Sequence, residues 1–267
     1  MDNRIKDENI PLPKAFIKLG KSEHMYNYVK KGEIRFSPAM IFTKMEEGND
    51  KIADRYEGSL HYPISHLVAA PIIGEKDDGT PIYGKIFKIA DKADLRLTNR
   101  TIQSIPFHCL YSYDFPPINA VIRLENYENI IEEFPDYDSA VIIYNVPEFL
   151  HRIESNYEIY CNYVMYTDVT PSEDDIVNQI HLLFYKRKTF EQQKEFRIAL
   201  PKLRIEEAKN YNIGSIEDIA YCIPLKFLEH GIVISNTKES FEEIKKNCEY
   251  SGFRVDEVKC ADGRIIK

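Results

Sequence analysis

The stretch that decides the fold is Lys186–Leu200, which reads KRKTFEQQKEFRIAL. Side chains of an extended chain alternate between two faces, so the end of this stretch predicts a strand with one apolar and one polar face. The apolar face would carry Phe196, Ile198 and Leu200, and the polar row would carry Gln193, Glu195 and Arg197. A carboxylate beside a guanidinium on one strand face either braces a sheet or builds a polar site, and the stretch leaves both alternatives open.

The composition indicates a globular protein with a substantial core. The chain has 267 residues, of which 43% are hydrophobic and 29% charged, which is ordinary for a soluble domain. The net charge of −8 disfavours non-specific nucleic-acid binding through a broad basic face, and Lys186–Lys188 is the best candidate for a local basic patch. The sequence contains no apolar run of about 20 residues and no signal-peptide core, so we expect a cytoplasmic protein without a membrane partner.

The cysteines and histidines give no metal-binding pattern. The five cysteines are scattered without a CxxC pair, which predicts reduced structural thiols rather than a zinc ribbon or a redox pair. The histidines are isolated, and Pro63 separates the closest two, His61 and His66. We therefore expect no metal cofactor. Loops of the type GxxxxGK[ST] or GxGxxG, the nucleophile elbow GxSxG and the zincin motif HExxH are also absent from the sequence.

The order of the elements predicts an α+β fold, with a single mixed or antiparallel sheet flanked by helices. We expect a flexible leader at 1–14, a main domain at 15–204 and a small C-terminal α/β subdomain at 205–267, packed on the main domain. The predicted strands, helices and hairpin include a strand at Phe16–Leu19, a helix at Glu23–Lys31 ended by Gly32, a hairpin of 67–73 and 82–89 around the turn EKDDGTP, buried strands at 105–111 and 140–144, and a helix at 173–185.

Three further groups of polar residues are candidates for the site, and one of them is Tyr166 with Asp168 at the end of a strand. Asp54, Arg55 and Glu57 lie in a polar loop that ends at Gly58, where they could line a site or hold a turn by an ion pair. His108, Tyr111 and Ser112 lie at or near the end of a buried strand, where the sequence favours a hydrogen-bonded core histidine for His108 over a site residue.

The order of several motifs resembles an uncharacterised bacterial family over roughly residues 16–200. The motifs that carry the resemblance are Gly-x-Ile-x-Phe at 32–36, Asp-x-x-Glu-Gly at 54–58, Phe-x-Cys-x-Tyr-Ser at 107–112, Val-x-Tyr at 164–166 and Lys…Phe-x-x-Gln-x-Glu-Phe-Arg-Ile at 188–198. That family in turn resembles, distantly, the toxins of the ADP-ribosyltransferase type, which cleave NAD and transfer ADP-ribose to a protein or a nucleic acid.

The resemblance implies an ADP-ribosyltransferase-like fold, NAD as substrate and Glu195 as the catalytic carboxylate, with Gln193 at the upstream position. A fixed anion suits this reaction because cleavage of the nicotinamide–ribose bond develops positive charge on the sugar. Arg197 would either orient Glu195 or neutralise it. The resemblance also implies a serine-centred strand motif around Ser112, with Lys18 or Arg35 as a cation for the NAD phosphates. The remaining residues expected to bind substrate or cofactor are Asp54, Arg55, Glu57, His108, Tyr111 and Lys188.

The leading functional hypothesis is therefore an NAD-consuming effector of a bacterial toxin, phage-defence or abortive-infection system. Its partner would be a protein or nucleic-acid acceptor, another component of the defence system or a second copy of the chain. One alternative is a non-catalytic sensor or binding module of a defence or prophage system. A second alternative is a nuclease acting on RNA through Lys186–Lys188 and His108, since a small basic groove is enough for a single strand.

Overall fold

A computed structural model describes most of the chain. The described residues are 11–45, 57–64, 67–91, 93–118, 121–168, 179–235, 237–250, 258–259 and 265–266. Asp54 and Arg55, most of the predicted leader and the first part of the predicted helix at 173–185 lie outside these ranges.

The described elements alternate between short strands and short helices. The strands are β1 Ala15–Gly20, β2 Glu33–Pro38, β3 Ser59–Ile64, β4 Leu67–Ala69, β5 Ile72–Glu75, β6 Pro81–Tyr83, β7 Phe87–Ala90, β8 Ala93–Thr98, β9 Pro106–Tyr113, β10 Val121–Ile122, β11 Ser139–Ile143, β12 Tyr160–Tyr163, β13 Met165–Tyr166, β14 Tyr185–Lys186, β15 Glu195–Ala199, β16 Lys209–Asn212, β17 Ala220–Pro224, β18 Ile232–Val233, β19 Val258–Lys259 and β20 Ile265–Ile266. The helices are α1 Ser22–Lys31, α2 Ala39–Met45, α3 Arg100–Gln103, α4 Tyr127–Glu133, α5 Val146–Glu154, α6 Phe227–His230 and α7 Lys238–Tyr250, with 3₁₀ helices at Gln179–Phe184 and Lys188–Gln193.

An eight-stranded sheet organises these elements. Its main path runs β12-β15-β9-β1-β11-β17, and β2 pairs with both β9 and β16. All of the pairings within this sheet are antiparallel. The long strand β9 is central, because β15 lies along one edge of it while β1 and β2 share the other edge. The predicted α+β class with a mostly antiparallel sheet is confirmed.

The two faces of the sheet are covered differently. Phe196 and Ile198 pack with Phe16 in one large apolar core, beneath α1 and α5. The opposite face carries two smaller apolar cores, one around Tyr111 and Ile142 and one around Phe107, Ala199 and Leu183. The polar row of β15 therefore emerges on the face with the two smaller cores.

A two-stranded ribbon leaves the sheet between β2 and β9. The strand pairs β3–β8, β4–β7 and β5–β6 follow one another along residues 59–98. Its tip is a tight turn, in which the Lys76 carbonyl accepts from the Gly79 N–H at 2.9 Å and the Thr80 carbonyl accepts from the Lys76 N–H at 2.9 Å. The hairpin predicted around EKDDGTP is confirmed, because Asp-Gly turn chemistry is a local signal.

Other predictions differ from the structure in informative ways. The predicted helix at 173–185 is wrong at its end, where residues 179–184 form a 3₁₀ helix and Tyr185 begins β14. The sheet also continues past residue 204, the boundary expected for the main domain. β16 pairs with β2 and β17 pairs with β11, so part of the expected C-terminal subdomain belongs to the main sheet.

Gly32 ends α1 in the left-handed conformation, as the sequence predicts. Its φ is 64°, and a Cβ built there would lie 1.9 Å from the Gly214 carbonyl oxygen. Gly214 also has a positive φ, of 81°, but a Cβ there would meet nothing within 4 Å. A comparison of substitutions at the two glycines therefore distinguishes the free-energy cost of a left-handed backbone from the cost of a steric clash.

We expect Gly32→Ala to destabilise the fold more than Gly214→Ala. Both substitutions incur about 1–2 kcal/mol for a left-handed alanine. Gly32→Ala should cost roughly another 1–3 kcal/mol, because the Gly214 backbone must move away. Urea unfolding followed by circular dichroism measures both values, and equal losses would contradict the close packing of Gly32 on Gly214.

Candidate functional site

The polar row of β15 lies in the interior of the protein. Arg197 is 1% exposed and Glu195 is 8% exposed. In the register of the sheet, Glu195 is opposite Tyr111 and Arg197 is opposite Cys109. The alternation predicted from the sequence is thus confirmed, but the polar face is covered by protein.

The Arg197 guanidinium is surrounded by acceptors from distant parts of the chain. Its Nε donates to Glu195 Oε2 at 2.8 Å, and its two terminal nitrogens hold the carboxylate of Glu57, one of them at 3.1 Å. One terminal nitrogen also donates to the Leu183 carbonyl at 2.5 Å. The guanidinium carbon stands 4.7 Å from the centre of the Phe107 ring, a cation–π arrangement. Two carboxylates, a carbonyl and an aromatic face therefore satisfy this one cation.

A second cation, Lys186, holds the other oxygen of Glu195. Lys186 Nζ donates to Glu195 Oε1 at 2.5 Å and to Gln193 Oε1 at 2.6 Å. The Gln193 amide then donates to Glu133 Oε1, at 2.7 Å. Lys186 is 7% exposed. We call Glu57, Glu133, Lys186, Gln193, Glu195 and Arg197 the buried polar network.

Local backbone features hold these side chains in place. Gly58, with a φ of 63°, follows Glu57, and a Cβ there would lie 3.0 Å from the Ala39 Cβ and 3.3 Å from Leu183 Cδ2. Glycine therefore lets the segment that carries Glu57 approach the core closely. Lys194, which joins the second 3₁₀ helix to β15, has a φ of 40°. This turn directs Gln193 and Glu195 toward the same lysine.

The charges in the network keep one another ionised. Burial alone would raise the pKa of Glu195, but the positive charges of Arg197 and Lys186 outweigh it and hold this pKa well below its usual value. Burial would likewise lower the pKa of Lys186, whereas Glu195 and Glu57 raise it. Both groups thus remain charged across the physiological pH range.

Other reactive groups near the network are held in their neutral forms. Burial, followed by the negative charge of Glu195, raises the pKa of the Cys109 thiol to about 12. Burial also raises the pKa of Tyr166, whose hydroxyl oxygen accepts from the Glu195 backbone N–H at 2.8 Å. A thiol with so high a pKa is a poor nucleophile at neutral pH. The arrangement favours fixed ion pairs over proton transfer or nucleophilic attack.

His108 lies on the opposite face of β9 from the buried polar network. It is 2% exposed, and its Nδ1 is 2.9 Å from the Arg35 carbonyl, which can only accept. Nδ1 therefore carries the proton, and Nε2 accepts from the Tyr28 hydroxyl at 2.9 Å. Burial, and then the charge of Lys18, hold the pKa of His108 well below its usual value. His108 is a hydrogen-bonded core histidine, which corrects its expected place beside Glu195.

The remaining predicted site residues lie in different places, some beside Glu195 and some away from it. Tyr111 shares the face of Glu195, whereas the Ser112 hydroxyl donates to the Lys194 carbonyl at 2.8 Å. Lys188 is exposed, and its backbone N–H donates to Asp168 at 3.1 Å. Glu57 joins Gln193, Glu195 and Arg197 in the network, as described above.

The expected basic patch at Lys186–Lys188 is not a continuous surface. Lys186 points inward to Glu195, and Arg187 stacks on the Phe190 ring at 5.3 Å, which leaves Lys188 as the exposed member of the three. Lys18, expected as a cation for phosphates, donates to the Cys109 carbonyl at 2.9 Å, and burial lowers its pKa.

Two members of the site environment are not predicted from the sequence as site residues, since Lys186 is expected in a basic patch and no motif points to Glu133. Tyr166 is among the candidate polar residues, and it does lie beside Glu195. One signal was present for Lys186, because a buried carboxylate on a strand needs a cation, and Lys186 lies nine residues before Glu195. Glu133 has no comparable signal, since only tertiary contacts bring it near β15.

Across the described ranges, no group of three or more histidine, cysteine, aspartate or glutamate side chains is arranged to hold a metal ion. No helix in the part of the chain that the structure describes is both long and apolar enough to span a membrane. Comparison of the chain with protein-family models, with curated proteins and with solved structures found no match in any of the three.

Removal of one carboxylate from the network should strongly destabilise the protein. We expect Glu57→Gln and Glu195→Gln each to lower the free energy of unfolding by about 3–5 kcal/mol, because each leaves a buried cation with less compensation. Chemical denaturation measures this loss. Adding Lys186→Met to Glu195→Gln should recover part of it, since the second change removes an unpaired charge.

The matched control is Glu125→Gln. Glu125 pairs with Lys194 at 2.5 Å, but both side chains are well exposed. Loss of an exposed ion pair costs about 0–1 kcal/mol. A similarly small loss for Glu57→Gln would show that the buried polar network does not hold the fold.

The contribution of Glu195 should depend on pH in a defined direction. Its folded pKa is depressed below the usual value of 4.5, so its contribution is fully present above that value and is lost as the pH falls through the folded pKa. We expect the stability difference between wild type and Glu195→Gln to be constant from about pH 7 to 5.5 and to shrink below about pH 4. Denaturation curves at these pH values test the direction, and a difference that grew on acidification would contradict it.

Proposed function

We propose that this chain is a non-catalytic binding module in which the buried polar network stabilises the domain and the ribbon at 59–98 provides the binding surface. One observation carries the proposal: both oxygens of Glu195 are already engaged by cations of the same chain, Arg197 and Lys186. The setting is the one that the sequence resemblance implies, a bacterial defence or prophage system.

The geometry supports this function better than NAD cleavage. A catalytic carboxylate must face the sugar on which positive charge develops. Glu195 faces two cations at 2.5 and 2.8 Å, and its charge is offset before any substrate arrives. An ADP-ribosyltransferase-like fold and activity, with NAD as substrate, stay predictions from the sequence resemblance alone.

The geometry also gives little support to an RNA-directed nuclease that uses His108 and Lys186. His108 would have to exchange protons with a substrate, but it is buried and hydrogen-bonded at both ring nitrogens. Lys186 would have to bind phosphate, but it is engaged with Glu195. A binding module requires neither residue to reach solvent.

Incubation with NAD tests the proposal directly. We expect no release of nicotinamide above the buffer background, measured by mass spectrometry, because the chain offers no free carboxylate at β15. We also expect no rise in melting temperature at millimolar NAD, since a ligand that binds only the folded state would raise it.

The comparison variant is Glu195→Gln, assayed at a temperature at which circular dichroism shows it to be folded. Nicotinamide release by the wild-type protein that disappears in this variant would overturn the proposal and restore Glu195 as the catalytic residue. Release that persists in the variant would point to a contaminant or to another site, and an NAD-cleaving enzyme serves as the positive control.

A further inference from the structure

The ribbon at 59–98 concentrates apolar surface that nothing in the described structure covers. Among the residues that the structure describes, eight of the fifteen exposed large hydrophobic side chains lie between residues 68 and 89. The most exposed of them are Ile72, Ile73, Tyr83, Ile86, Phe87 and Ile89, each more than half exposed. Contiguous apolar surface of this kind marks an interaction site in a soluble protein.

The ribbon also lacks the support that a sheet normally gives. Its strands pair only with each other in the described structure, as β4 with β7 and β5 with β6. Both outer edges are unpaired, and a two-stranded hairpin alone is at best marginally stable in water. Ile82 and Tyr83 are adjacent on β6 and point to opposite faces of the strand, so both faces of the ribbon present apolar side chains.

The exposed area matches what one partner brings to a protein dimer. Half-exposed side chains of this size each offer on the order of 100 Å², so the ribbon supplies roughly 600–800 Å². A standard interface takes about 800 Å² from each partner. One face of the ribbon carries about half of this apolar area, and somewhat more than half of a standard interface is apolar, so one face of a second ribbon is large enough to cover one face of the first.

The charges of the ribbon are arranged to complement a second copy. The tip carries Glu75, Asp77 and Asp78 against one basic residue, Lys76, whereas Lys85 and Lys88 lie on the returning strand nearer the base, where Lys88 also pairs with Asp91. Residues 67–91 hold four acidic and three basic side chains, a balance of −1 compared with −8 for the whole chain. In an antiparallel pair related by a two-fold axis, the acidic tip of each copy faces the basic region of the other.

We propose that the ribbon is a self-association arm, and that two copies of this chain dimerise by packing their ribbons antiparallel to each other. This inference rests on the proposed function, because it identifies the partner of the binding module. The apolar side chains provide the buried area, and the opposite charges of tip and base set the direction.

Sedimentation equilibrium or light scattering of the full chain at 1–50 µM tests the inference. We expect a particle of twice the 31.2 kDa chain mass. Ile73→Glu with Ile86→Glu should raise the dissociation constant by at least about 30-fold, the effect of losing one hot-spot side chain. The control Tyr26→Glu alters a half-exposed aromatic residue on α1 and should leave the dimer unchanged.

Charge reversal tests the antiparallel direction. Lys85→Glu with Lys88→Glu should weaken the dimer by placing acidic bases against acidic tips, and Asp77→Lys with Asp78→Lys should weaken it by the converse repulsion. All four changes in one chain should restore it. Double variants that leave the dimer as strong as the wild type would overturn the antiparallel arrangement, because tips that face tips stay alike in charge whichever sign they carry.

The outcomes separate this inference from the proposed function. A wild-type chain that stays monomeric at 50 µM overturns self-association, and the partner of the ribbon would then be a different protein. NAD cleavage that depends on Glu195 overturns the proposed function, whatever the mass of the particle. Circular dichroism of each variant verifies the fold, which ribbon substitutions should not disturb because their side chains are exposed.

Discussion

The interior of this protein is organised around one desolvated cation, the guanidinium of Arg197. A buried charge is tolerated only where its partners replace the lost water. Here those partners come from three separate places, the carboxylate of Glu57, the carbonyl of Leu183 and the carboxylate of Glu195. The segment before β3, the first 3₁₀ helix and β15 must therefore be in place together for any of them to be stable.

The buried polar network also explains why one face of the sheet has two apolar cores rather than one. Glu195 and Arg197 lie on that face between the core around Tyr111 and the core around Phe107. Replacing a buried ion network by apolar side chains is often neutral or stabilising. The network of this chain holds the covering segments in one arrangement, because loss of any one partner would leave a buried charge uncompensated.

The sequence predicted what depends on neighbouring residues and missed what depends on distant ones. The alternation of β15, the helix end at Gly32 and the ribbon turn follow from local rules of strand, cap and turn chemistry. Glu57 is 140 residues from Arg197 in the sequence, and their pairing is a tertiary contact that no local sequence pattern indicates. The need of Glu195 for a cation is a signal for Lys186, but the sequence does not indicate whether the Lys186 side chain points inward or toward solvent.

The chain reverses the usual placement of polar and apolar side chains at two sites. At the network, charged groups lie inside the domain, and their mutual contacts leave little capacity for an outside ligand. At the ribbon, isoleucines and aromatic rings lie in water, and no described element covers them. Buried charges that are already paired require no further partner. Exposed apolar surface, in contrast, lowers the free energy of the system when another surface removes it from water. The physical argument for a partner therefore points to the ribbon rather than to Glu195.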